Sequence, residues 1–206
     1  MQTSIPRRVV QLALIVTVGT AACTAFAAPL NLVQAFPDVF VTSNAATYDP
    51  NSMQFTETGR PLTYSLPTSY NITNTTTTSY SLTATIDHTG SATGGTLSIL
   101  GKISALGFTS GTLLTGTLAP APAFGYGNST NGDPFEFLFT VTGGDMAGNF
   151  GSTAGVIISA KSTNYVDWSH SFSNGSGATN DTFRVPEPAS LTLLAAVLGL
   201  SRRRGR

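Results

Sequence analysis

Residues 79–87 read Ser79-Tyr80-Ser81-Leu82-Thr83-Ala84-Thr85-Ile86-Asp87, a strict alternation of apolar and polar side chains. In an extended chain, successive side chains point to opposite faces. Tyr80, Leu82, Ala84 and Ile86 then share one face, and Ser81, Thr83, Thr85 and Asp87 share the other. That pattern is a strand buried on one side and wetted on the other. The same period of two runs through 135–142, where Phe135, Phe137, Phe139 and Val141 align. It returns at 96–103, with Leu97, Ile99 and Ile103 on one side. At 154–161 it turns Val156 and Ile158 inward and leaves Ile157 on a partly covered second face. Shorter candidates at 39–41, 53–56, 62–66, 112–118 and 166–172 bring the total to about nine strands.

Breakers separate these runs: Thr89-Gly90 through Gly94-Gly95, Ala119-Pro120-Ala121-Pro122, Asn131-Gly132-Asp133-Pro134 and Gly143-Gly144-Asp145. No stretch of the middle carries a long helical period. Many short strands with a turn every ten or so residues predict an all-β fold, a single β-sandwich or jelly-roll domain over 28–173. The Pro-bounded run 62–66 suits an edge strand.

Charged residues are only 10% of the 206, whereas 32 Thr and 21 Ser supply the polarity. Threonine has good strand propensity, so these hydroxyls are read as the solvent faces of the strands. Between residues 28 and 184 four basic residues (Arg60, Lys102, Lys161, Arg184) face nine acidic ones. No basic surface exists to neutralise phosphates, which excludes nucleic acid as a partner. Cys23 is the only cysteine, which excludes a disulfide framework.

The remaining basic residues lie at the two ends. Arg7 and Arg8 precede an apolar stretch over 9–22, and Ala25 and Ala27 place small residues at −3 and −1 of a cleavage site after Ala27. Residues 1–27 therefore read as a signal peptide for signal peptidase. Fourteen residues at about 1.5 Å each fall short of a membrane span. Lipoprotein processing at Cys23 would want a large aliphatic residue where Thr20 stands. At the other end, a Gly/Ser/Asn-rich linker is expected over 174–184. It leads to Val185-Pro186-Glu187-Pro188, an apolar run over 189–200, and Arg202, Arg203, Arg204 and Arg206. Two prolines hold the motif extended. The apolar run favours a short membrane helix of about 18 Å, and the arginines hold its far end on the cytoplasmic side.

This tripartite end resembles the PEP-CTERM sorting signal of Gram-negative bacteria that make exopolysaccharide. Pro186, Glu187 and Pro188 match the motif, and Arg202, Arg203 and Arg204 match its basic end, over about the last 22 residues. The resemblance implies processing of 185–206 by the membrane enzyme exosortase. It also implies transient anchoring in the envelope, then release to the cell surface or outside.

Candidate chemistry is sparse. His88 follows Asp87, and His170 follows Asp167 by three residues. No Gly-x-Ser-x-Gly elbow is present and the acids are scattered, so no catalytic set, metal or cofactor is expected. Asn131 and Asp133 alternate in a loop that could offer oxygens to calcium, though such residues also simply favour turns. Trp168, Tyr165, Phe172, Phe124 and Tyr126 could stack on sugar rings or pack the core, and for Trp168 the core is favoured. Five Asn-x-Ser/Thr sequons occur, at Asn71, Asn74, Asn128, Asn174 and Asn180, and a Thr-rich patch spans 71–81. The expectation is an exported, non-enzymatic structural or adhesive protein of the cell surface or matrix. The alternative is a carbohydrate-binding module recognising exopolysaccharide, and an exported hydrolase using Asp87 and His88 comes third.

Overall fold

The computed structural model describes residues 28–127, 133–160, 167–174 and 179–185. In chain order the strands are β1 (Asp38–Asp49), β2 (Gln54–Ser65), β3 (Ser69–Asn71), β4 (Ser79–Ile86), β5 (Ala92–Leu100), β6 (Thr112–Leu118), β7 (Phe124–Tyr126), β8 (Asp133–Gly143), β9 (Thr153–Ala160), β10 (Phe172–Asn174) and β11 (Thr179–Arg184). A one-turn helix, α1 (Ala147–Phe150), joins β8 to β9. The all-β expectation holds, and the strand at 79–87 is β4, with the burial alternation its sequence predicts.

The architecture is a closed barrel, which corrects the sandwich or jelly-roll expectation. Eight antiparallel strands follow the order β1-β11-β9-β8-β6-β5-β4-β2, and β2 pairs back onto β1. Alternation along a strand cannot tell a ring from two stacked sheets, because both have one inner face. Closure depends on the long β1–β2 ladder, from Asp38↔Ser65 to Asp49↔Gln54. Register shifts between Phe40/Val41 and Ser43/Ala45 add the local bend that such a ring requires. The runs 53–56 and 62–66, expected as separate strands, merge into β2. The second is a stave of the ring, not an edge, and Pro61 sits opposite Val41 at a register shift.

The short strands complete the wall. β7 continues the line of β6 along β8, and β10 continues that of β11 along β1. The expected linker over 174–184 thus contains a stave, β11, hydrogen-bonded on both edges to β1 and β9. Its sequence reads as polar because its inward residues are polar: Asn180 and Thr182 are both fully buried.

The lumen is filled by side chains. Phe55, Phe135, Phe137, Phe139, Tyr64 and Phe150 are buried, and Trp168 closes one end, edge-on to Tyr48 at 5.0 Å and to Phe124 at 5.3 Å. Each such ring contributes about 2–3 kcal/mol by leaving water. The outer wall carries the hydroxyls, the reverse of a membrane-spanning barrel with its apolar outer band. Among the described residues no helix is long and apolar enough to cross a membrane. The signal peptide expected over 1–27 and the helix expected within 185–206 lie outside the described residues, apart from Val185.

Candidate functional site: a threonine belt on the outer wall

Every stave from β1 round to β9 places a threonine at the same level. Thr47 on β1 is opposite Thr56 on β2, and Thr56 is opposite Thr83 on β4. Thr83 faces Thr96 on β5, Thr96 faces Thr117 on β6, Thr117 faces Thr140 on β8, and Thr140 faces Thr153 on β9. Ser173 on β10 extends the row beyond Thr47. Their neighbours along the strands, such as Tyr48, Phe55, Leu97 and Phe139, are buried, so the threonines point outward. Strand propensity explains threonine on the outer face. It does not explain seven in one register, which depends on how the strands pair.

A second row lies two residues along. Thr58 is opposite Ser81, Ser81 opposite Ser98, and Ser98 opposite Thr115. Hydroxyls touch across the strands: Thr83 Oγ1 and Thr96 Oγ1 are 2.9 Å apart, and Thr142 Oγ1 donates to Thr115 Oγ1 at 3.0 Å. The grid is nearly free of charge. Of the residues two places before and after each belt threonine, only Asp49 carries one.

Behind the belt, the lumen holds a buried polar network. The Asn180 amide donates to Glu57 Oε2 at 2.8 Å and to the Tyr80 hydroxyl at 2.6 Å, while Thr182 Oγ1 donates to Asn180 Oδ1 at 3.2 Å. All four residues are buried, and burial with the Glu57 charge pushes the Tyr80 phenol well above its usual range. Sealed from solvent, the network ties β2 and β4 to β11 and offers a substrate no approach.

The sequence-predicted candidates are distributed differently. Asp87 Oδ1 accepts from Thr89 N–H, Thr89 Oγ1 and Ser91 N–H, which closes the β4–β5 turn, and His88 Nε2 lies 3.1 Å from Pro50 O. Asp167, Ser169 and His170 do converge. The Asp167 carboxylate is held down to about 2 by the hydrogen bond from Ser169 and by His170. Both Asp167 and Ser169 approach the same ring nitrogen, His170 Nδ1, at 2.7 and 3.1 Å. A nucleophilic triad needs the hydroxyl on the other nitrogen, so this is a turn. Among the described residues no group of three or more His, Cys, Asp or Glu could hold a metal.

The aromatic residues expected at a sugar platform are inside: Trp168, Phe172 and Phe124 are buried, and Tyr126 packs against the core. Tyr165 and Asn131 lie outside the described residues, as do Pro186, Glu187, Pro188, Arg202, Arg203, Arg204, Ala25 and Ala27. The Asn180 sequon is buried in the lumen, whereas Asn71 and Asn74 are exposed. In the Thr-rich patch, the Thr75 hydroxyl bonds those of Thr77 and Thr78 in a turn leading into β4.

A strap and a cleft flank this wall. Residues 28–37 cross the outside of the barrel before β1. Glu136 clamps them, accepting from Asn31 N–H at 3.0 Å and Leu32 N–H at 2.9 Å. Gly125 makes room, since a Cβ there would lie 2.5 Å from Leu30 N. Beneath the strap's start, Ala121–Phe124 and the β4–β5 turn line an apolar cleft of about 510 Å³ with no charged side chain.

The sequence signalled the belt's ingredients, alternate threonines on strand after strand, but not their alignment. No family model, curated protein or solved structure matches the chain.

Proposed function

We propose that the chain is an exported, non-enzymatic structural or adhesive component of the cell surface or exopolysaccharide matrix. An N-terminal signal peptide cleaved after Ala27 would export it, and exosortase would sort it at Pro186-Glu187-Pro188. The threonine belt carries the proposal. It is a continuous hydroxyl surface, nearly free of charge, on a barrel whose interior is already filled, so contact is made on the outer wall. The ends are compatible with this reading. Among the described residues the barrel and its strap run from residue 28 to the hydrogen bond from Val185 N–H to Thr153 O, so both proposed cleavage points lie beyond the described staves. The alternative, a carbohydrate-binding module built on exposed aromatics, loses its platform because Trp168 and Phe172 are core residues.

The test is deletion of the gene in its host, followed by measurement of biofilm cohesion and cell aggregation. Reduced cohesion, restored by the wild-type chain, is expected. Unchanged biofilm and aggregation would overturn the proposal.

A further inference from the structure

We infer that the threonine belt is a binding track for an extended, uncharged polysaccharide chain running across the strands. This deepens the matrix reading above and rests on it. Four features of the wall carry it.

The first is chemistry. Each threonine offers a hydroxyl, which donates once and accepts twice, beside a methyl group. A neutral sugar likewise alternates hydroxyls with C–H surface. Where Thr83 and Thr96 bond each other, the pair keeps one free donor and spare acceptor sites for a ligand.

The second is spacing. Adjacent strands lie about 4.8 Å apart, close to the advance of one sugar ring in an extended chain. Seven staves give a track of about 29 Å, with the Thr58–Ser81–Ser98–Thr115 row about 6.7 Å to one side.

The third is charge. Asp49 is the only charged residue two places from a belt threonine. Arg184, whose Nε lies 4.0 Å from where a Cβ on Gly151 would sit, stands at the Thr153 end, and Arg60 follows Thr58 by two in the second row. The middle of the track, from Thr83 to Thr140, thus offers an acidic polymer, a phosphate or a lipid headgroup no cation.

The fourth is curvature, which separates a polymer from a flat lattice. In a closed barrel, tilted strands make a row of paired residues climb the wall. The belt starts at Thr47, near the end of β1, and finishes at Thr153, bonded to Val185. The neighbouring Arg184 N–H bonds Pro37, just before β1 begins. The row thus rises by about ten residues, roughly 33 Å, in one circuit. A flat surface such as an ice face can meet only two or three staves, whereas a flexible chain can follow them all. Each hydroxyl contributes weakly, and repetition along one polymer supplies the avidity.

The test uses the full chain in mild detergent, with amorphous cellulose as the uncharged probe and alginate as the acidic one. Wild type is expected to sediment with cellulose and not with alginate. Thr83→Val/Thr96→Val/Thr117→Val, which keeps shape and strand propensity, is expected to bind cellulose about tenfold more weakly. Thr77→Val, off the belt, is expected to bind as wild type, and thermal melts check that each variant is folded. Equal binding by the folded triple variant would overturn the inference, as would preference for alginate. Shaping of growing ice crystals without polysaccharide retention would also overturn it. In the host, a triple variant that fully restores biofilm cohesion would sink the belt while leaving the matrix role standing. Loss of cellulose binding with no deletion phenotype would do the opposite.

Discussion

Thr83 on β4 and Thr96 on β5 are direct cross-strand partners with hydroxyl oxygens 2.9 Å apart, at the middle of a row of seven. The pair stands on the wetted face, Thr83 half-exposed and Thr96 exposed. Water replaces either hydroxyl's partner when the other is removed. Thr83→Val is therefore expected to change stability by no more than about 0.5 kcal/mol in urea melts. A loss of several kcal/mol would mean that the belt holds the fold together.

The strap depends on Glu136. Its carboxylate accepts two backbone N–H groups in a partly buried site, and such charge-assisted bonds are among the stronger ones. Glu136→Ala is expected to cost about 2 kcal/mol and to open residues 28–37 to protease while the barrel resists. Unchanged proteolysis would place the strap's anchorage elsewhere.

Asp38, at the junction of strap and β1, gives a pH dependence. Burial, with the neighbouring Asp181 charge, raises its carboxyl from 3.8 to about 6 against the opposing hydrogen bond from Gln34 Nε2. The folded state therefore holds this proton more tightly than the unfolded chain. Stability rises as pH falls through 6 and the gain is complete below about 4. Asp181 is half-exposed and admits water, so the expected gain is about 1 kcal/mol. Burial raises Asp181 in the same direction, whereas hydrogen bonds hold Asp49 and Asp167 below 3.8, beneath this window. Thermal melts should give a higher Tm at pH 5 than at pH 7.5, and Asp38→Asn should flatten the difference. A Tm that falls between pH 7.5 and 5 would contradict this.

The lumen network gives the largest single effect. Asn180→Leu removes two donations inside a sealed barrel and leaves Glu57 with less compensation for its charge. It is expected to cost about 3 kcal/mol in chemical denaturation. Glu57→Gln keeps an oxygen for Asn180 and should cost less. Near-neutral Asn180→Leu would mean that water reaches the site.

How far the sequence could be read depended on which contacts decide each feature. β4, β8, β9 and the Leu97–Ile99 half of β5 were legible because their alternation is local, and Val156 and Ile158 face inward as the pattern requires. Ring closure was not, because it turns on β1 meeting β2 through strands interrupted by Gly59 and Pro61. β11 was hidden because its inward residues, Asn180 and Thr182, are polar and satisfied by partners 100 or more residues away or by each other. Trp168 was legible as a core residue, since a lone tryptophan favours burial. The belt was half legible: the outward threonines could be seen, but their common level depends on every cross-strand register at once.

The central claim is that a strapped β-barrel is the working part and that both ends are addresses. The intact mass of the native protein, recovered from envelope and culture medium, tests it most directly. The account predicts a chain beginning at Ala28 and ending near residues 186–188. A mass that retains Arg202, Arg203 and Arg204 in the mature protein would contradict it and make the C-terminal segment a lasting part of the molecule.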